Sequence, residues 1–170
     1  MKDYCQYEKL QNSNIITRFL HSYRYKWILS IFRQLAKETN NKPITVVDIG
    51  CGTCKLFEVL NDNSISINYF GIEPDELFVE TSNKRYKSMN NFKIVKGKAE
   101  EIIPNLKQKI DIFTALESFE HIPEYLIPKI LRSISAKRPK VLACSVPIEV
   151  GPAIWIKNLG SKLMGYQRYK

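Results

Sequence analysis

The sequence predicts an α/β fold in which a doubly wound parallel sheet carries helices on both faces. Short apolar runs rich in β-branched residues alternate with helical patterns along the chain, and the segments between them are short. Strands connected in this way pair in parallel through right-handed crossovers. The predicted strands span residues 44–50, 67–72, 92–96, 110–115 and 141–147.

Helical patterns fill the intervals between these strands. The first predicted helix has apolar residues at steps of three and four, among them Trp27, Ile31 and Leu35, and Pro43 follows its end. An apolar segment at 152–164 predicts a further helix that would cover the free edge of the fifth strand. The helices of the alternating region are predicted at 14–39, 54–61, 75–88, 99–106 and 123–135.

The chain has 170 residues, of which 44% are hydrophobic and 25% charged, as expected for one globular domain. We divide it into a helical cap (1–43), a central core (44–147) and a C-terminal helix (148–170). No apolar run has the length of a membrane span or the form of a signal peptide, so we expect a soluble, cytoplasmic protein. The four cysteines are too few for a disulfide framework, and we expect reduced thiols.

Positive charge is concentrated at the two ends of the chain. Residues 1–47 hold eight Lys and Arg against three Asp and Glu, and residues 124–170 hold nine against two, whereas the centre is acidic. Such ends could bind an anionic small molecule, a lipid surface or nucleic acid. A surface of solvated lysines is the interpretation that we favour, because basic charge alone specifies no partner.

A glycine-rich segment, D-I-G-C-G-T-C at 48–54, directly follows the first predicted strand. Gly50 and Gly52 allow a tight turn and a close approach to a ligand, and the next helix offers free N–H groups. A dinucleotide-binding loop would require glycine where Lys55 stands, and the phosphate-loop pattern is absent from the sequence.

The segment V-V-D-I-G-C-G-T resembles the first motif of class I S-adenosylmethionine-dependent methyltransferases. Four later segments resemble the family in the same order, at 71–75, 95–101, 110–123 and 138–147. The fourth-strand segment is similar to the small-molecule branch, which includes ubiquinone-type and sugar or polysaccharide methyltransferases. The resemblance implies a Rossmann-like sheet in the order 3-2-1-4-5, here without the usual final antiparallel hairpin.

The resemblance also implies the residues that bind the cofactor, S-adenosylmethionine. Glu73 would accept hydrogen bonds from the ribose hydroxyls. Arg24 lies on the first predicted helix, which is expected to cover the cofactor, and could hold the methionine carboxylate, although a solvated position is favoured. Lys98 stands where the family has an adenine-binding aspartate, and Glu100 is a possible substitute. The full set of expected cofactor-binding residues is Arg24, Asp48, Gly50, Cys51, Gly52, Glu73, Pro74, Ala99, Glu100 and Leu116.

The acceptor side of the site is less defined by sequence. His121 is a candidate general base, although a structural role is favoured. The predicted reaction transfers a methyl group to an oxygen or nitrogen of a small-molecule, sugar or lipid-linked acceptor. A nucleic-acid acceptor is disfavoured because A-L-E-S-F, not an N-P-P-Y type segment, follows the fourth strand. A peripheral membrane contact and a homodimer stay open.

Two alternatives remain beside this interpretation. Cys51 and Cys54 form a C-x-x-C pair, which could be a redox pair or half of a metal site, but a zinc site needs about four ligands, so we predict no metal. The alternative function is an inactive methyltransferase fold that binds a partner. The cysteine at position 54, where the family has glycine, and Lys98 favour that second hypothesis.

Overall fold

The computed structural model describes the backbone of residues 15–146 and the side chains of residues 25–146. Within this part of the chain, five strands form one sheet in the order β3-β2-β1-β4-β5, and every neighbouring pair is parallel. The predicted class and strand order are thereby confirmed. The strands are β1 (Ile44–Ile49), β2 (Ile67–Glu73), β3 (Phe92–Lys96), β4 (Ile112–Leu116) and β5 (Val141–Ser145).

Among residues 15–146, five α-helices alternate with these strands. They are α1 (Ile15–Glu38), α2 (Lys55–Asp62), α3 (Glu76–Arg85), α4 (Ala99–Ile102) and α5 (Ile127–Ala136). The helix predicted at 123–135 begins as a 3₁₀ turn, and its α-helical part starts with Pro128 in the first turn. Proline is tolerated there because the first N–H groups of a helix have no partner within it. The helix predicted at 99–106 likewise continues from α4 as a 3₁₀ turn.

Apolar side chains cover both faces of the sheet. One layer packs α1 and α2 on the sheet around the fully buried Phe57, and the other packs α4 and α5 around Phe113 and Ile130. Burial on both faces explains why β1 is a nearly continuous apolar run. The buried polar residue of that strand is Asp48.

Helix α1 buries a face that only partly matches the predicted stripe. Leu35 is buried and Ile31 is half-buried against the core, as predicted, but Trp27 is 43% exposed. Ile28 and Phe32, each one position after a predicted residue, are fully buried instead, so the centre of the apolar face is shifted from the predicted stripe. In the described part of the chain, no helix, α1 included, is both long and apolar enough to cross a membrane.

The fifth strand lies at an edge of the described sheet. Val141 to Ser145 pair with β4, and no further strand follows among residues 15–146. The predicted strand end at 147 and the predicted covering helix at 152–164 lie outside the described residues. What covers this edge therefore stays a prediction.

Four aromatic rings hold β2, β3, α2 and the end of α3 together. The ring of Phe57 lies 4.8–5.3 Å, centroid to centroid, from the rings of Tyr69, Tyr86 and Phe92. Removing the central ring would leave a cavity surrounded by three others. Such cavities lower stability by the lost burial and the lost contacts.

We expect Phe57→Ala to lower the free energy of unfolding by about 3–5 kcal/mol, the usual cost of a large-to-small change in a core. Urea denaturation measures it. Tyr125→Ala is the control, since Tyr125 is 78% exposed and should change stability by less than about 0.5 kcal/mol. Equal stabilities of the two variants would show that the ring cluster is not a core.

Candidate cofactor site

The strand order places the candidate site at the carboxyl ends of the central strands. Chain connections run from β1 to β2 on one side of the sheet, while β4 lies on the other side of β1. Ligands of such sheets bind at this reversal of strand order. The ends of β1, β2 and β4 and the loops that follow them meet there and contain most of the residues expected from sequence.

The loop after β1 is a tight turn with left-handed backbone at both glycines. Gly50 has φ +64 and Gly52 has φ +51. A Cβ atom at Gly50 would lie 2.8 Å from the Cβ of Ser118, whereas one at Gly52 would meet no atom within 4 Å. Gly50 is therefore required by packing within the protein, and Gly52 faces open space that a ligand can enter.

Cys54 occupies the position of the third glycine in the family motif and keeps a glycine-like backbone. Its φ is +56, its side chain is fully buried, and its N–H donates to the carbonyl of Cys51 at 2.8 Å. A left-handed conformation costs a non-glycine residue roughly 1–2 kcal/mol. Cys54 thus adopts a backbone conformation that favours glycine, and α2 begins at the next residue.

Glu73, at the end of β2, holds two loops together through one carboxylate. Its Oε2 accepts from the N–H of Gly52 at 2.8 Å and its Oε1 accepts from the N–H of Asp75 at 3.0 Å. The residue is only 6% exposed. Each carboxylate oxygen has a second lone pair, so the group can still accept one hydrogen bond on each oxygen from a vicinal diol.

Asp48 is a second buried carboxylate, and its partners are neighbouring strands. Its Oδ2 accepts from the hydroxyl of Tyr69 on β2 at 2.6 Å, and its Oδ1 accepts from the hydroxyl of Thr114 on β4 at 2.7 Å. Burial raises the pKa of Asp48 to about 6; the two hydrogen bonds oppose that change, and the charge of Glu73 adds to it. Asp48 thus links three strands beneath the loop, and its direct contact with a cofactor stays a prediction.

The exit of β3 lies beside that of β2. The N–H of Gly97 donates to the carbonyl of Glu73 at 3.0 Å, which places the start of α4 next to the candidate site. Ala99 is buried there, Glu100 is half-buried and Lys98 is exposed. The cofactor contacts expected of Ala99 and Glu100, and of the exposed Pro74 after β2, remain predictions.

The exit of β4 is bound to the exit of β1 by a serine that the sequence interpretation did not identify. The hydroxyl of Ser118 donates to the carbonyl of Ile49 at 2.6 Å. Leu116 is half-buried before it, and the exposed His121 donates its backbone N–H to the carbonyl of Ser118 at 3.1 Å. This geometry places His121 near the site's edge; its role as a base stays a prediction.

Sequence patterns also missed Tyr69 and Thr114, the partners of Asp48. Both lie in predicted strands, but only strand register shows that they face the same carboxylate. The side chain of Arg24 lies outside the described residues. No group of three or more His, Cys, Asp or Glu side chains suited to a metal occurs where side chains are described.

The raised pKa of Asp48 predicts that the folded protein becomes less stable as the pH rises. The folded protein binds the proton more tightly than the unfolded chain, whose carboxyl has a pKa near 3.8. The stabilisation is therefore complete below about pH 4 and is lost as the pH rises through about 6.

We expect the unfolding free energy of the wild type, relative to Asp48→Asn, to decrease by roughly 1–3 kcal/mol between pH 4 and pH 7. Asn is isosteric and does not titrate. Urea denaturation at several pH values measures the difference. A constant difference would contradict the burial of a titrating carboxyl group at this position.

Comparison with known proteins identifies the architecture. A family model described as a methyltransferase domain matches residues 46–137, more than half of the chain. No curated protein sequence matches. Among solved structures, magnesium protoporphyrin IX methyltransferase (ChlM) from Synechocystis PCC 6803 with bound SAH is similar, with a TM-score of 0.60 and 15% identity over 92% of this chain and 71% of that chain.

Two other similar structures are longer. The bifunctional kinase-methyltransferase WbdD has a TM-score of 0.58 and 18% identity, covering 78% of this chain and 30% of that one. The plantazolicin methyltransferase BamL has a TM-score of 0.52 and 22% identity, covering 76% of this chain and 50% of that one. This chain thus spans half or less of those two proteins. On the family match and the fold, the chain belongs to the methyltransferase domain family.

Proposed function

We propose that the chain catalyses S-adenosylmethionine-dependent methyl transfer to an oxygen or nitrogen of a small-molecule, sugar or lipid-linked acceptor. The observation that carries the proposal is the Glu73 carboxylate beside the open space at Gly52. Membership of the methyltransferase domain family supports it. The bound S-adenosylhomocysteine in the similar ChlM structure supports the choice of cofactor.

The residues present fit an S-adenosyl cofactor. Glu73 offers one free lone pair on each oxygen, which matches the two neighbouring hydroxyls of a ribose. Gly52 leaves room for the ligand to approach the backbone, because no atom lies within 4 Å of the position a Cβ would take. Two buried carboxylates, Glu73 and Asp48, also favour a ligand that carries positive charge.

When bound, S-adenosylmethionine supplies an electrophilic methyl group on a sulfonium. The chain's own contribution is to hold this cofactor by Glu73 and the glycine turn so that the acceptor atom can approach in line. Positioning of this kind accounts for a large part of rate acceleration in two-substrate reactions. His121, at the exit of β4, is the candidate that would take the proton from the acceptor.

The charge near the exit of β4 restricts which charge the reacting group of the acceptor can carry. Residues 117–125 contain three glutamates and no lysine or arginine, and Glu120, Glu124 and Tyr125 are exposed. A neutral or cationic reacting group is favoured beside these carboxylates. If the rest of the acceptor is anionic or lipid-linked, the basic ends of the chain are the segments suited to bind it.

An inactive fold that acts as a scaffold with a partner is the second candidate. Lys98 favours it, because an exposed ammonium group stands where the family places a carboxylate for the adenine amino group. Titration calorimetry followed by a methyl-transfer screen separates the two. Binding of S-adenosylmethionine with turnover on an acceptor supports the enzyme, and binding without turnover on any acceptor class supports the scaffold.

We expect Glu73→Ala to weaken S-adenosylhomocysteine binding by roughly 1.5–3 kcal/mol, or about 10- to 150-fold in Kd, the cost of losing a hydrogen bond to a charged group. Calorimetry measures the Kd. Glu76→Ala is the matched control, because it removes an equal charge only three residues after Glu73. The Glu76 side chain is 66% exposed and pairs with Lys96. Equal affinity of Glu73→Ala and wild type would exclude Glu73 from the ribose site.

Gly52→Val should abolish detectable binding, since its branched side chain would occupy the open space beside Glu73. Because the residue has φ +51, the variant is also strained, and circular dichroism must show that it folds. Gly52→Ala is a milder second variant. Thr53→Val is the control, because it introduces the same valine side chain one position later in the chain. A folded Gly52→Val protein that binds normally would exclude this loop from cofactor binding.

A further inference from the structure

The cofactor loop contains two thiols that touch each other. The Sγ of Cys54 donates to the Sγ of Cys51 at 3.6 Å. Cys54 is fully buried and Cys51 is half-buried. Neither sulfur has a role in the proposed methyl transfer, which uses the backbone and the glycines of this loop.

The local backbone keeps the two cysteines within reach of a covalent bond. The N–H of Cys54 donates to the carbonyl of Cys51 at 2.8 Å and closes a four-residue turn. The ends of such a turn lie within about 7 Å, a span that a disulfide also bridges. The two sulfurs would need to approach from 3.6 Å to about 2.05 Å, the length of an S–S bond.

We propose that Cys51 and Cys54 form a reversible disulfide when a low-molecular-weight disulfide oxidises them, and that this modification weakens cofactor binding. The Cys51 thiolate attacks a sulfur of the oxidant; that S–S bond breaks and one thiol leaves with a proton. The Cys54 thiolate then attacks the Cys51 sulfur of the mixed disulfide and releases the second thiol. Two protons and two electrons pass in total from the cysteine pair to the oxidant.

Exposure sets the order of these steps. Cys51 is the less buried residue of the pair, so we expect it to form the mixed disulfide when the loop opens and the fully buried Cys54 to resolve it. Burial raises the pKa of the Cys51 thiol, and its contact with Cys54 adds to that effect. The thiol is therefore protonated at neutral pH, and oxidation should be slow unless the loop opens.

The disulfide would act on the cofactor through Gly52. A Cβ at Gly71 on β2 would lie 2.6 Å from the sulfur of Cys51, so this sulfur fills the space beside that glycine. Forming the bond requires the Cys51 sulfur to leave this space or Cys54 to move at the start of α2. When the backbone of either cysteine shifts to close the bond, it displaces Gly52, which lies between the two in the chain and donates to Glu73. The effect on the cofactor rests on the proposed function, whereas disulfide formation does not.

Intact-mass spectrometry of the full chain tests the bond. A Cys5→Ser and Cys144→Ser background leaves only the pair. After incubation with glutathione disulfide and alkylation, we expect a folded protein with no alkylated thiol, no glutathione adduct and full recovery of both thiols with dithiothreitol. Adding Cys51→Ser must abolish this product. A background protein that keeps two alkylatable thiols, or only gains a glutathione adduct, would overturn the proposal.

Calorimetry of the same background protein tests the consequence. We expect the oxidised form to bind S-adenosylhomocysteine at least about tenfold more weakly, a difference of about 1.4 kcal/mol, and reduction to restore the affinity. With Cys51→Ser, the affinity should not respond to the oxidant. Equal affinity of the oxidised and reduced forms would overturn the effect on binding. A reduced protein that does not bind at all would contradict the proposed function, while the mass measurement still decides the disulfide.

Discussion

One buried carboxylate, that of Glu73, determines how the loops around the candidate site are arranged. A buried charge is costly unless hydrogen bonds satisfy it, and here the donors are the N–H groups of Gly52 and Asp75. Gly52 can supply its N–H because its backbone is left-handed. Asp75 in turn caps α3 by accepting from the N–H of Leu77 at 2.9 Å. The turn after β1, the end of β2 and the start of α3 therefore depend on a single group.

Asp48, in the strand that precedes the Gly52 loop, adds hydrogen bonds to the two neighbouring strands. Strand pairing places Asp48 opposite Gly71 on one side and Thr114 on the other, so its carboxylate reaches across three strands. Burial is the main cause of the raised pKa of Asp48, and the negative charge of the nearby Glu73 adds a smaller contribution. A sheet centre with two buried acids is suited to a cationic ligand, and the sulfonium of the proposed cofactor is one.

The parallel α/β class and the Gly52 loop could be predicted because they leave local patterns, namely alternating elements and a glycine motif after a strand. The strand order was predicted from the family resemblance. The side-chain contacts between strands could not be predicted in this way. Ser118 donates to Ile49 and Tyr69 donates to Asp48 because of loop geometry and strand register. No spacing in the sequence encodes either. The exposed Trp27 shows the same limit, since an apolar residue within a helical stripe does not reveal which neighbouring face is buried. The C-x-x-C spacing allowed a thiol contact but did not establish it.

The central claim is that Glu73 and the loop after β1 form one ligand-binding unit. Titration of ¹⁵N-labelled protein with S-adenosylhomocysteine, followed by amide chemical shifts, tests this most directly. The largest changes should occur at the amides of Gly52 and Asp75, which donate to Glu73, and the amides of Ile44 and Ile67 at the opposite strand ends should not change. Saturable changes that leave Gly52 and Asp75 unaffected would contradict the claim.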